Sequence, residues 1–153
     1  MPAFRFRAQP ALDLRHREYE AAQRALARAD AERHHAQMHV EATECAIEQG
    51  RRDADAAVRA NPAGADREWY RFWIVRLERD RSEALAALSR HETLLAAARA
   101  ACLQARQRCE ALERFRQKAH DAWLASLDAE ERKIIDDLAT QRYALRADEA
   151  EGA

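Results

Sequence analysis

Proline and glycine are almost missing from the interior of this chain, and the few that occur decide what it can fold into. After Pro10 there is no proline until Pro62, and none beyond it. Asn61-Pro62-Ala63-Gly64-Ala65-Asp66 is therefore the one strong break, with Pro62 ending the segment before it and Asp66 placed to N-cap the segment after it. The pattern predicts a helix over about residues 11–60, a loop over 61–66 built on Asn61, Pro62 and Gly64, and a second helix over about 67–146. All of it forms a single coiled-coil domain over 1–153. At 1.5 Å per residue the helices would be on the order of 75 Å and 120 Å long. Gly50 lies inside the first and should weaken it by about 1 kcal/mol relative to Ala.

Composition agrees with long helix and with little else. Ala, Glu, Lys, Leu and Arg supply 93 of the 153 residues, whereas Leu, Ile, Val and Phe together supply only 25, too few for a thick sheet core. The 26 basic residues are balanced by 27 acidic ones, for a net charge of −1, and the two signs are interleaved along both helices. A nucleic-acid-binding face needs one dominant sign, so no nucleic-acid partner is expected. No run of about 18 apolar residues is present, and no apolar segment comes after the N-terminal basic residues, so neither a membrane span nor a secretory signal is predicted. The three cysteines (Cys45, Cys102, Cys109) are odd in number and lack CxxC spacing, which favours neither a disulfide framework nor a zinc site. A cytoplasmic protein is the expectation.

The hydrophobic period is seven. Leu12, Tyr19, Leu26, Arg33, Val40, Ile47 and Ala54 form one stripe, with Ala22, Ala29, Ala36, Thr43, Gly50 and Ala57 as its companion. In the second helix Tyr70, Leu77, Ala84, His91, Ala98, Ala105, Leu112 and Ala119 run beside Ile74, Arg81, Leu88, Leu95, Cys102, Cys109, Arg116 and Trp123. Folding the helices back on the loop sets Tyr19 opposite Cys109, Val40 opposite Leu88 and Ala54 opposite Ile74. The interleaved layers pair Ala29 with Ala98, Gly50 with Leu77 and Ala57 with Tyr70. Both series turn about residue 64, inside the loop, and small residues facing large ones suit a close antiparallel pair. The fold class predicted is all-α: two long helices in an antiparallel coiled-coil hairpin, the second projecting beyond the first. Past Trp123 the stripe slips by one residue to Leu127, Ile134, Leu138 and Leu145, where the first helix has run out. About 20 residues, some 30 Å of helix, are left without an intramolecular partner, and an unpartnered apolar stripe is an interaction site by default.

Four features admit two readings each. Trp69, Tyr70, Phe72 and Trp73 crowd four aromatics into five positions, more than one thin partner helix can bury; they either cap the loop end of the hairpin or form a hot-spot patch for another protein. The tail stripe, flanked by Arg132, Lys133 and Arg142, either self-associates or binds a different partner. Phe4-Arg5-Phe6-Arg7 alternates before Pro10 and is expected to be either extended or frayed in isolation; it lies beside Trp123 in the hairpin, which suggests a small apolar clasp. His34, His35 and His39 have chelating spacing but no third ligand to close a site, so a solvated face is preferred and no metal is assigned. His91 reads as a packed polar residue fixing register, Cys102 and Cys109 as small core fillers, Arg33 and Arg81 as snorkelling cations. No phosphate-binding loop, nucleophilic triad or concavity is present in the pattern, so no catalytic residue, cofactor or enzymatic activity is expected.

The segment Phe4-Arg5-Phe6-Arg7-Ala8-Gln9-Pro10-Ala11-Leu12-Asp13-Leu14-Arg15 resembles the opening of the FliJ family, small coiled-coil proteins of the flagellar type III export apparatus. Trp73-Ile74-Val75-Arg76-Leu77 is similar to that family's aromatic-Ile-x-x-Leu motif after the loop, Leu112-Glu113-Arg114-Phe115-Arg116 to its Leu-Glu-basic stretch, and Glu131-Arg132-Lys133-Ile134-Ile135-Asp136-Asp137-Leu138-Ala139 to its closing signature. Ala8 and Ala11 replace larger aliphatics, and Ile134 and Ile135 are more apolar than the pattern. An injectisome counterpart, the YscO-like family, shares the architecture and stays open as an alternative, as does a self-associating structural coiled coil. The resemblance implies a non-catalytic stalk in the bore of a hexameric export ATPase, promoting its assembly and activity. It implies that the ATPase meets the two chain ends, with Phe4, Phe6, Leu127, Arg132, Lys133, Ile134, Ile135, Leu138 and Arg142. It implies that the cytoplasmic domain of the export gate meets the patch of Trp69, Tyr70, Phe72, Trp73 and Leu77, and that export chaperones also bind. Association with the inner membrane would be peripheral, only through these partners.

Overall fold

The computed structural model describes residues 3–62, 64 and 66–151, the side chains of 66 and of 143–151 excepted. Ala63 and Ala65 of the loop, the N-cap expected of Asp66 and the side chain of Leu145 lie outside the described residues. Two helices, α1 (Gln9–Ala60) and α2 (Asp66–Glu151), pack against each other as an antiparallel hairpin, and the described residues contain no strand. α1 opens two residues before its expected start. Pro10 sits in the first turn, where a missing N–H costs no intrahelical bond, so it begins the helix instead of preceding it. At the other end Asn61 N–H still donates to the Ala57 carbonyl at 3.0 Å, and Pro62 then stops the ladder. Gly64 N–H donates to the Asn61 carbonyl at 3.1 Å, closing a turn with Pro62 in its second position.

Contacts gather into two units, one of Arg17–Arg106 and one of Met1–His16 with Gln107–Ala153. In the first, the α1 stripes are buried or half-buried throughout, with Ala36, Val40, Thr43, Ile47 and Gly50 most enclosed, against Leu77, Ala84 and Leu95 of α2. Thr43 remains satisfied there because its hydroxyl donates to the His39 carbonyl at 2.8 Å. Gly50 is a point of close approach: a Cβ added to it would lie 3.6 Å from Trp73 Cδ1 and 3.8 Å from Leu77 Cδ1. Register is marked outside the seam by Arg51 on Glu78 at 2.9 Å and Arg81 on Glu44 at 3.7 Å. Arg81 thus snorkels to a carboxylate of the facing helix instead of filling the core.

In the second unit Leu12 is the most enclosed side chain, 1 % exposed, which contributes roughly 1.5–3 kcal/mol by apolar burial. Cys109 is buried nearby, while Leu112, Ala119 and Trp123 are half-buried and Arg116 is exposed. Residues 3–6 are non-helical and lie against α2. Phe4 packs its ring on His120 at 5.1 Å and on Trp123 at 5.7 Å, and Phe6 meets Phe115 at 5.6 Å. The clasp beside Trp123 is present, and the alternation of Phe with Arg explains it: Phe4 and Phe6 are half-buried while Arg5 and Arg7 face solvent.

Candidate interaction surfaces

Within the unit of Arg17–Arg106, the seam takes Tyr70 and Ile74, so Arg71 and Phe72 are turned to solvent while Trp73 lies at the edge of the seam. Trp69 and Trp73, one helical turn apart, stack at 5.9 Å with their planes 10° apart, and Tyr70 meets the Trp69 ring edge-on at 5.0 Å. Phe72 is 73 % exposed and Val75 is exposed on the same stretch of α2. Trp73 has a double position, 41 % exposed but with its Cδ1 edge leaning over Gly50. Leu77 does not belong with the others. At 8 % exposure it packs opposite Gly50 as a core residue, so it supports the patch from beneath and presents nothing to a partner. Rigid, clustered and exposed aromatics have the character of an interface anchor, because they bury large area at small entropic cost.

In the other unit, burial along α2 ends at the half-buried Leu127, and every side chain from 128 to 142 is exposed. Ile134, Ile135 and Leu138 are 60 %, 57 % and 51 % exposed, on a stretch that also carries Arg132, Lys133 and Arg142 in solvent. Two β-branched apolar residues in succession cannot both face one seam, so the stripe is broad as well as bare. Leu124 is exposed one turn before Leu127 and extends the apolar surface towards the clasp of Phe4 and Phe6. Those two phenylalanines are half-buried against α2, which leaves only part of each ring open to solvent.

A third grouping is not visible in the heptad pattern. His16 on α1 faces Cys109 and Glu113 of α2, with Nδ1 3.4 Å from the thiol sulfur and Nε2 3.5 Å from the Glu113 carboxylate. The thiol itself points to the same carboxylate at 3.9 Å. Burial pushes the Cys109 thiol above its ordinary value of 9.0, and the negative charges of Glu113 and then Glu110, with the hydrogen bond to Glu113, push the same way. The 4 % exposure of Cys109 agrees with its reading as a core filler. The signal that could have found the trio is the i, i+4 spacing of Cys109 to Glu113, since the hairpin pairing already sets His16 near residue 112 of α2. His34, His35 and His39, the histidines singled out by spacing, are all exposed on one helix. No helix of the described residues is long and apolar enough to cross a membrane.

The family model described as flagellar FliJ protein matches residues 4–148. Neither the curated proteins nor the solved structures offer a match.

Proposed function

The chain belongs to the FliJ family, structural components of flagellar type III protein export, and from that premise we propose that it is the non-catalytic central stalk of the export ATPase ring. The observation that carries this reading is the bare stripe of α2, where Ile134, Ile135 and Leu138 face solvent with Arg132 and Lys133 beside them. The side chains from 128 to 142 are all exposed, so an apolar stripe that its own chain leaves open is suited to burial by a foreign surface. A hexameric ring supplies one, and an asymmetric helix in a six-fold bore touches each subunit differently, which biases the ring's states unequally. Phe4, Phe6, Leu127 and Arg142 complete the ATPase-facing end. The stacked Trp69–Trp73 pair with Tyr70 and Phe72 serves as the contact for the cytoplasmic domain of the export gate. Export chaperones are further partners, and location at the inner membrane comes from these contacts alone.

The test is to mix the protein with the export ATPase and follow ring formation and hydrolysis rate. Ring formation and faster hydrolysis are expected, and Ile134→Asp with Leu138→Asp abolishes both effects while the helical content is retained. Stimulation that survives this double substitution refutes the assignment of the tail. The same bare stripe also suits self-association; a stable dimer at micromolar concentration with hydrolysis unchanged would establish that reading instead.

A further inference from the structure

We propose that His16, Cys109 and Glu113 bind a divalent transition-metal ion of the Zn²⁺ class, tying the first turns of α1 to α2. The inference is independent of the export role and rests on three side chains that the helices bring together. One thiolate, one imidazole and one carboxylate are the three donor types that zinc takes from proteins, and a soft sulfur among them favours zinc over magnesium or calcium. Their ligand atoms all lie within 4.8 Å of one another. An ion with ligands at about 2.0–2.3 Å in a tetrahedron needs donors roughly 3.3–3.7 Å apart. The sulfur–Nδ1 separation of 3.4 Å already meets that requirement; the carboxylate lies 3.9 Å from the sulfur and 3.5 Å from Nε2, so the exposed Glu113 side chain swings towards Nδ1 to complete the set.

The supporting frame is rigid where rigidity is needed. Cys109 and Glu113 are one turn apart on a continuous helix, so their relative placement is set by the backbone. His16 is fixed from the opposite helix next to the most buried side chain of this unit, Leu12, one turn earlier. Charge also balances: on binding, the Cys109 thiol gives its proton to solvent, and the thiolate and the Glu113 carboxylate together neutralise a divalent ion. Three protein ligands leave a fourth position for water, and the exposure of Glu113 provides the route of entry.

The experiment is a titration of reduced, chelator-stripped full-length protein with Co²⁺ and then with Zn²⁺. One Co²⁺ per chain is expected, with a thiolate-to-metal charge-transfer absorption that Zn²⁺ displaces, and a thermal midpoint that rises with Zn²⁺ concentration. Cys109→Ser abolishes the absorption. Glu113→Gln removes an exposed ligand without touching the core and weakens binding by at least the roughly tenfold that even an outer-shell loss produces. Replacing Cys45 and Cys102 together by Ser leaves the signal intact. An absorption that survives Cys109→Ser, one that disappears with Cys45 and Cys102, an affinity indifferent to Glu113→Gln, or no uptake of Co²⁺ at all overturns the proposal.

Discussion

Gly50→Ala should make this protein more stable, and the gain can be worked from its surroundings. Gly50 is in the interior of α1 with ordinary helical backbone, since no described glycine has a positive φ. Replacing a mid-helix glycine by alanine removes a propensity deficit of about 1 kcal/mol. The new methyl would meet Trp73 Cδ1, Ile74 Cγ1 and Leu77 Cδ1 at 3.6, 3.7 and 3.8 Å, which is contact without compression. Burying one methyl in that niche adds about 0.8 kcal/mol. The two contributions act in the same direction and give roughly 1.5–2 kcal/mol. For a domain of this size that is a rise in thermal midpoint of roughly 3–8 °C. The assay is far-UV circular dichroism on heating, run at two protein concentrations so that any self-association shows as a concentration-dependent midpoint. Gly50→Leu is the paired control. The three contacts leave no room for further carbon atoms, and overpacking at about 1–3 kcal/mol offsets the helix gain. A midpoint lowered by Gly50→Ala, or one raised as much by Gly50→Leu, would show that the helices do not approach this closely at Gly50.

Two further outcomes come from the same geometry. Trp73→Ala should weaken binding to the export-gate domain while leaving stimulation of the ATPase intact, as measured by pull-down and hydrolysis in parallel; loss of both together would deny that the two surfaces act separately. The Arg51–Glu78 pair at 2.9 Å is more than two-fifths exposed on each side chain, so a double-mutant cycle should give a coupling of about 0.2–1 kcal/mol that shrinks in high salt. A larger, salt-insensitive coupling would mean that the pair, and not the seam beneath it, sets the register.

The hairpin is legible in the sequence because its punctuation is so sparse. With Pro62 and Gly64 the only break between two long heptad patterns, the turn has one place to be, and the pairing of Gly50 with Leu77 reappears as a contact at Leu77 Cδ1. The bare tail is legible for the same reason, since a stripe that outruns its partner can be counted in residues. Pro10 is harder to place because proline is a breaker inside a helix and a good first residue at its start, and only the backbone distinguishes these. Leu77 is drawn into the aromatic patch through a family motif that does not separate the outward Trp73 from the inward Leu77 four residues on. The His16, Cys109 and Glu113 trio escapes because a heptad reading sorts residues into seam and surface. Glu113 lies one position off the seam, and such flanking positions come together only when crossing geometry and side-chain reach are known.

The same thin seam explains why apolar surface accumulates where it does. The layers between α1 and α2 within Arg17–Arg106 are rich in small residues, such as Ala36, Thr43 and Gly50 of α1 and Ala84 of α2, so the helices approach closely and cover only a narrow strip of each other. A narrow strip leaves no capacity for extra bulk. Trp69, Phe72 and Val75 beside the seam in one unit, and Ile134, Ile135 and Leu138 past the half-buried Leu127 in the other, therefore cannot be explained as core. Exposed aromatic and β-branched residues lower solubility and contribute nothing to a two-helix core, so in a chain otherwise built of Ala, Arg and Glu their concentration at two places calls for another source of burial. The two patches differ in chemistry: stacked rings at one, and aliphatic branches among charges of both signs, Glu131, Arg132, Lys133, Asp136 and Asp137, at the other. A partner suited to the first has no reason to fit the second.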